Sequence, residues 1–273
     1  MHVPDPPDRA WLEAEIDKRK PWYQCIEFPA YGLTTTSREE WIIADGAVDN
    51  LFPGMKPEDA PRLRPIPKFE RLARYLPDVQ GRTVLDAGCN CGFFAFEFVK
   101  RGAQFVTGLD LHAASVERAQ FCASVLGIEN ARFAVDDIGG YSEGHDIVWG
   151  ASLHEHFFFP FYYLARLICL ARELFILETH HYVRDDRDRI ARLDTAPRRG
   201  AHAFHFSRAM YRAYLNMLGI EDTAIEERVF YDDGVVRRLL LLVDTRAFQQ
   251  QRPHHHYLQP LAGVGQAGPR SGE

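Results

Sequence analysis

The stretch TVLDAGCNCGFF, Thr83 to Phe94, decides the fold. Its first half is a short apolar run that carries an acid, Asp86. Its second half is a glycine-bounded loop, Gly88-Cys-Asn-Cys-Gly92, that opens into the helical pattern FFAFEFVKRG. A strand that turns on glycines into a helix lets the backbone approach a ligand closely, and the free N–H groups of the helix start favour a negative group there. Downstream the alternation repeats. QFVTGLD reads as a strand, AASVERAQFCASVLG as a helix, ARFAVDD and HDIVWG as strands, FYYLARLICLA as a helix and LFILET as a fifth strand. Helices between successive strands imply parallel crossovers. The fold class is therefore α/β, a Rossmann-like doubly wound, mostly parallel sheet with helices on both faces.

The two ends differ from this core. Helix SRAMYRAYLNMLG precedes strand AIEERVF, and the turn YDDG leads into VVRRLLLLVDT, which gives a C-terminal antiparallel hairpin. A terminal hairpin on an otherwise parallel sheet is the arrangement of class I methyltransferases. Upstream, residues 1–75 do not read as βαβ. A helix is expected from Arg9 to Lys20, then the irregular aromatic stretch PWYQCIEFPAYGL, a proline-dense segment from Phe52 to Pro67, and a helix from Lys68 to Tyr75. The reading is an N-terminal helical and irregular cap over residues 1–75, packed over one end of a sheet. A methyltransferase domain follows over 76–247, then a Gln-, His-, Pro- and Gly-rich tail over 248–273 expected to lack order.

With 273 residues, 46% hydrophobic and 26% charged, the chain suits one large globular domain with additions. No run approaches the roughly 18 apolar residues of a membrane span. The opening MHVPDPPDRA lacks the apolar stretch of a signal peptide, so a cytoplasmic location is expected. Five scattered cysteines form neither a disulfide framework nor a Cys-x-x-Cys zinc pair, and the histidines show no compact ligand cluster, so no metal is expected. The formal charge of −6 speaks against a dedicated nucleic-acid partner and towards a small-molecule substrate.

The order of acids along the strands points to S-adenosylmethionine as cofactor. The backbone of Gly88, Cys89, Asn90 and Gly92 suits its methionine carboxylate, and Asp86 can accept from its ammonium group. Asp110 closes the second strand 24 residues after Asp86, beside Leu111, where a carboxylate can hold ribose hydroxyls. Asp136 and Asp137, with the amide of Ile138, end the third strand where adenine would lie. A nicotinamide-dependent oxidoreductase would need glycine at 88, 90 and 93, and the chain has Gly88, Asn90 and Phe93.

The segment KFERLARYLPDVQGRTVLDAGCNCGFFAFEFVKRGAQFVTGLD resembles, without gaps, the core of the tRNA wobble-uridine carboxymethyltransferase family and its methyltransferase relatives. WYQCIEF, LHEHFFFPFYYLARL and LFILET fit the same group, so the resemblance covers most of residues 20–215. It implies that Lys68, Gly88, Asp110 and Trp149 touch the cofactor. The tRNA-acting members use carboxy-S-adenosylmethionine and hold its extra carboxylate partly with the Tyr of a Tyr-His pair. This chain has Leu153-His154 there and lacks their Lys-Gly-Pro-Phe element. A buried carboxylate without such donors is costly, so the plain donor is expected.

Substrates of such folds enter at the carboxyl ends of the strands. GASLHEHFFF sets His154, Glu155 and His156 after the fourth strand. His154 has the pKa range of a catalytic base, or it only shapes the pocket. Glu178 ends the fifth strand, followed by His180 and His181. RGAHAFHFS offers His202, Phe204 and His205, and the cap offers Tyr23 and Tyr31. The aromatic run Phe157 to Tyr163 reads as core in preference to a stacking platform. Methyl transfer to a small polar metabolite or natural-product intermediate, at nitrogen or oxygen, is the expected function. The alternatives are a tRNA wobble-uridine (carboxy)methyltransferase and a non-catalytic binding module.

Overall fold

The computed structural model describes residues 7–36, 65–180, 189, 191–196, 201–232, 237–251 and 264–265. In chain order its elements begin with helix α1 (Arg9–Lys18), strands β1 (Glu27–Phe28) and β2 (Leu33–Thr34), helix α2 (Pro65–Leu72), β3 (Thr83–Ala87) and α3 (Phe93–Lys100). Next come β4 (Phe105–Asp110), α4 (Ala113–Leu126), β5 (Ala131–Val135), β6 (His145–Ala151), α5 (Pro160–Leu170) and β7 (Ala171–His180). The chain closes with β8 (Ala191–Ala196), β9 (Ala201–Phe206), α6 (Arg208–Met217), β10 (Ile225–Asp232), β11 (Arg237–Asp244) and α7 (Arg246–Gln251). Seven strands make one sheet in the order β10-β11-β7-β6-β3-β4-β5. The pairs β3–β6, β6–β7 and β4–β5 run parallel, while β11 runs antiparallel to both β7 and β10. This is the Rossmann-like sheet with a C-terminal hairpin that the sequence implies.

Two compact units divide the chain: residues 1–81 with 89–135, and residues 82–88 with 136–273. In the first, α1 starts on Asp8, whose carboxylate accepts the Trp11 N–H at 2.7 Å, and buries Leu12 and Ile16. The indole of Trp22 donates to the Ile16 carbonyl at 2.9 Å. Phe121 of α4 gathers the rings of Trp11, Trp22 and Phe28 at centroid distances of 6.2, 6.4 and 6.5 Å. The Arg19 guanidinium lies 4.1 Å from the same ring and pairs with Glu117, and Arg118 donates to the Arg19 carbonyl. The described N-terminal residues are thus keyed into α4 by aromatic burial and cations over a ring. The proline-dense segment from Phe52 lies outside the described residues as far as residue 64.

In the second unit, β11 is buried continuously from Arg238 to Val243, as a strand covered on both faces must be. The tail expected from residue 248 needs correction at its start, because α7 continues to Gln251. The physical reason is Gln249, whose amide donates to the carbonyls of Ile168, Cys169 and Ala171 at 3.1, 3.3 and 2.6 Å. These are carbonyls that the end of a helix leaves without partners. Phe248 and Val264 are buried as well. Strand β9 holds AHAFHF of the segment RGAHAFHFS, read from sequence only for its candidate substrate residues. Its alternation of Phe204 and Phe206 with Ala203 and His205 is a strand period. No described helix is long and apolar enough to cross a membrane.

Candidate active site

The glycine loop follows β3, whose Asp86 is buried and stands in register with Trp149 of β6. Gly88 has φ +73°, and a Cβ there would lie 2.8 Å from Leu153 Cδ1. Both the backbone and the close approach of Leu153 demand glycine. Asn90 takes a left-handed φ of 51° and accepts the Cys91 N–H on its own side-chain oxygen at 2.8 Å. Asn tolerates this conformation through such local bonds, which explains its place where glycine would be usual. Gly92 repeats the theme, with φ +88° and the Phe96 ring 2.9 Å from where a Cβ would stand. Cys89 and Cys91 are buried, and burial pushes the Cys91 thiol up to about 11, so it stays protonated and serves as a small packing group.

Asp110 at the end of β4 is pinned from two sides. Its Oδ2 accepts the Asn90 N–H of the glycine loop at 2.9 Å, and its Oδ1 accepts the His112 N–H at 2.9 Å. A carboxylate has about four acceptor positions, so each oxygen keeps capacity for a ligand hydroxyl. Leu111 beside it is 60% exposed. Gln24 accepts the Phe93 N–H at 3.1 Å, so the N-terminal segment caps the first turn of α3. Sequence reading missed this contact because nothing local marks it. Lys68 is buried on α2 with its ammonium 5.2 Å from the centroid of Phe94. Tyr23 is mostly exposed, and Tyr31 is half-buried with its carbonyl bonded to Arg9.

After β5 the chain presents Asp136 and Asp137 to solvent. Asp136 accepts the Asp137 N–H and Asp137 accepts the Gly139 N–H, both at 2.8 Å, a pair of tight side-chain turns. Ile138 is buried, and its carbonyl accepts from Arg166 Nε at 2.9 Å while Arg166 Nη2 reaches the Tyr141 carbonyl at 2.7 Å. This buried arginine of α5 fixes the loop that carries all three expected adenine residues. Trp149, expected to touch the cofactor, has no exposed surface within the sheet.

The carboxyl ends of β6 and β7 hold a dense polar cluster. Ser152 follows β6 with φ +47°, a strained value for a residue with a Cβ, and its N–H donates to the Glu178 carbonyl at 2.7 Å. The Glu178 side chain is fully buried and ion-paired with Arg238 at 3.0 Å. The Ser152 hydroxyl donates to Glu178 at 3.2 Å and accepts from Arg238 Nη1 at 2.8 Å. Glu178, expected to meet substrate, is therefore engaged with Arg238. In sequence Arg238 is only a charge inside the apolar run VVRRLLLL, and its partner comes from the fold.

His154 has no exposed surface. Its Nε2 lies 2.9 Å from the Tyr211 hydroxyl, and its ring stacks near Phe206. Burial lowers its pKa to about 4, against the opposing pull of Glu155, so it is neutral near pH 7. Glu155 is buried and accepts from the Thr179 hydroxyl, towards which Tyr211 donates at 3.4 Å. Burial first, then Glu155, raises the Tyr211 pKa well above its usual value. His156 is exposed, and Phe204 and His205 are half-buried on β9. His202 lies opposite Thr195 in the same hairpin, but its side chain falls outside the described residues, as do His180's side chain and His181. The aromatic run divides. Phe157 stacks on Tyr163 at 3.8 Å and Phe161 on Tyr214 at 4.4 Å, whereas Phe158 and Phe159 are largely exposed.

A family model described as a methyltransferase domain matches residues 78–160. Over those residues the chain is similar to methyltransferase domains. Two curated proteins are similar to this chain mainly over part of its length. A tRNA U34 carboxymethyltransferase of Desulfotalea psychrophila is 26% identical over 85 residues, 30% of this chain and 27% of that protein. A ubiquinone biosynthesis O-methyltransferase of Neisseria meningitidis serogroup C is 37% identical over 84 residues, 29% of this chain and 35% of that protein. The matched part thus spans about a third of each relative's length. Among solved structures, the N-terminal domain of EvdMO1 with S-adenosylhomocysteine bound has a TM-score of 0.58 at 18% identity, over 87% of this chain and 97% of that one. Magnesium protoporphyrin IX methyltransferase from Synechocystis, also with S-adenosylhomocysteine, has a TM-score of 0.51 at 19% identity, over 76% and 97%. These likenesses show the fold, a Rossmann-like α/β sheet.

Proposed function

We propose that this chain transfers the methyl group of S-adenosylmethionine to a nitrogen or oxygen of a small polar acceptor. The observation that carries the proposal is Asp110, an acid at a strand end held by a backbone N–H of the preceding glycine loop. A carboxylate so fixed suits ribose hydroxyls, and the loop's glycine pattern does not suit a dinucleotide. In this reading Asp86 accepts from the donor's ammonium group, and the loop of Gly88, Cys89, Asn90 and Gly92 lines the place of its methionine end. Asp110 and Leu111 meet its ribose, and Asp136, Asp137 and Ile138 meet adenine, with Lys68 and Trp149 assigned from the family resemblance. The bound donor supplies an activated methyl group. The chain's part is to align the acceptor in line with it and to exclude water.

The plain donor is favoured over the carboxylated one because Leu153 presents methyl groups, not a hydroxyl, against Gly88. Missing a hydrogen bond to a charged group costs roughly 1.5 to 3 kcal/mol. The O-methyltransferase relative supports a small acceptor. A second reading, methylation of the tRNA wobble uridine, is favoured by the tRNA U34 carboxymethyltransferase relative, so the expectation of no nucleic-acid partner has no support from these similarities. A cytoplasmic setting, in which all five cysteines stay as thiols, goes with either reading. Incubation with labelled S-adenosylmethionine, with tRNA and a metabolite extract in parallel, decides between them. Label in small molecules supports the proposal, label in tRNA replaces it with the second reading, and label in neither sinks both.

A further inference from the structure

In the polar cluster beyond β6, among the described residues, two buried atoms have no partner, Arg238 Nε and His154 Nδ1, and the His154 ring is wholly buried. The hydrogen bonds around it favour one place for its proton. Thr179 uses its hydroxyl hydrogen on the Glu155 carboxylate. The Thr179 oxygen is then an acceptor for the Tyr211 hydroxyl at 3.4 Å, which leaves the Tyr211 oxygen to accept from His154 Nε2 at 2.9 Å. The opposite arrangement, with Tyr211 donating to Nε2, would leave a buried Nδ1–H with no acceptor. An orphaned buried N–H is costly, whereas an orphaned acceptor lone pair is tolerated more readily.

We infer that Glu155, Thr179 and Tyr211 form a relay that holds His154 in the Nε2–H form and leaves Nδ1 as a fixed, proton-free acceptor at the carboxyl ends of β6 and β7. The three are positioning residues for His154, and the inference rests on reading that edge as the acceptor side of the proposed methyl transfer. A neutral imidazole with a preset lone pair can take the proton of an acceptor's N–H or O–H as the acceptor bonds to the methyl carbon and the donor's sulfur–carbon bond breaks, its electrons staying on the sulfur of S-adenosylhomocysteine. The titratable groups around His154 are Glu155 and His156 on its own turn, Tyr211 on α6 and Glu178 on β7. From β9 the ring meets Phe206, at a centroid distance of 6.1 Å.

The test is nitrogen-15 NMR of the full chain labelled at histidine, recorded without any methyl acceptor, with His154→Gln identifying the signal. The expected spectrum has Nε2 protonated and Nδ1 bare at pH 7, unchanged down to about pH 5. Tyr211→Phe and Thr179→Val should shift the tautomer population, and Thr179→Ser should restore it. An Nδ1–H form in the wild type, or no shift in Thr179→Val, overturns the relay. Should Tyr211→Phe fail to fold, the Thr179 pair carries the result. Turnover is read separately, where Thr179→Val should lower kcat at least about tenfold with KM little changed. A preset tautomer in the wild type together with full activity of His154→Gln would remove His154 from the reaction and leave the donor assignment standing.

Discussion

The glycine loop and the cluster beyond β6 are both polar and both sit at strand ends, yet they are built in opposite ways. The loop works through backbone. Asn90 and His112 give their N–H groups to Asp110, and Cys89 gives its N–H to the Leu109 carbonyl. The cluster works through side chains from separate elements, with Arg238 reaching Ser152 across 86 positions of sequence and Tyr211 reaching His154 across 57. A site made of backbone groups keeps its shape while its side chains vary. A site made of buried side chains depends on each of them.

That contrast is sharpest at Glu178. If its carboxylate chiefly balances Arg238, then Glu178→Gln strands a buried guanidinium and should cost about 3 to 5 kcal/mol of stability. Denaturant unfolding reads this directly. A variant of wild-type stability with a raised KM would show instead that Glu178 serves the substrate.

His154 makes the same point through pH. Its folded pKa of about 4 lies below the unfolded value of about 6.5, so between these values the unfolded chain binds the additional proton. Stability from this group is complete above about pH 6.5 and is lost as pH falls towards 4, by about 3 kcal/mol in all. Unfolding curves at several pH values should show that slope, and His154→Phe should flatten it. An identical slope in the variant would mean the histidine is not buried neutral.

The loop should respond more mildly. Gly88→Ala combines a left-handed φ with a methyl group placed against Leu153, a penalty of about 2 kcal/mol. Leu153→Ala in the same chain should recover the steric part and leave the backbone part. Full additivity of the two changes in a thermal melt would deny that they touch.

The same difference explains what the sequence made legible. Alternating apolar runs and helical periods marked all seven strands of the sheet, and the spacing from Asp86 to Asp110 marked the acids of the loop. These are features of neighbours in sequence. Thr179, Tyr211, Arg238 and Gln24 carried no such mark, because a Thr in a strand, a Tyr on a helix face or an Arg in an apolar run becomes informative only once the fold supplies its partner. Strands β8 and β9 were missed for another reason. His205 and His202 drew the reading towards chemistry, when the period of two in AHAFHF was a strand signal.

The central claim is that the loop binds S-adenosylmethionine, and calorimetric titration of the full chain with S-adenosylhomocysteine tests it most directly. The account predicts saturable one-to-one binding, with Asp110→Ala weakened about tenfold, the worth of a hydrogen bond to a charged group. Titration with a nicotinamide dinucleotide should give no heat of binding. Tight dinucleotide binding with no response to S-adenosylhomocysteine would contradict the account.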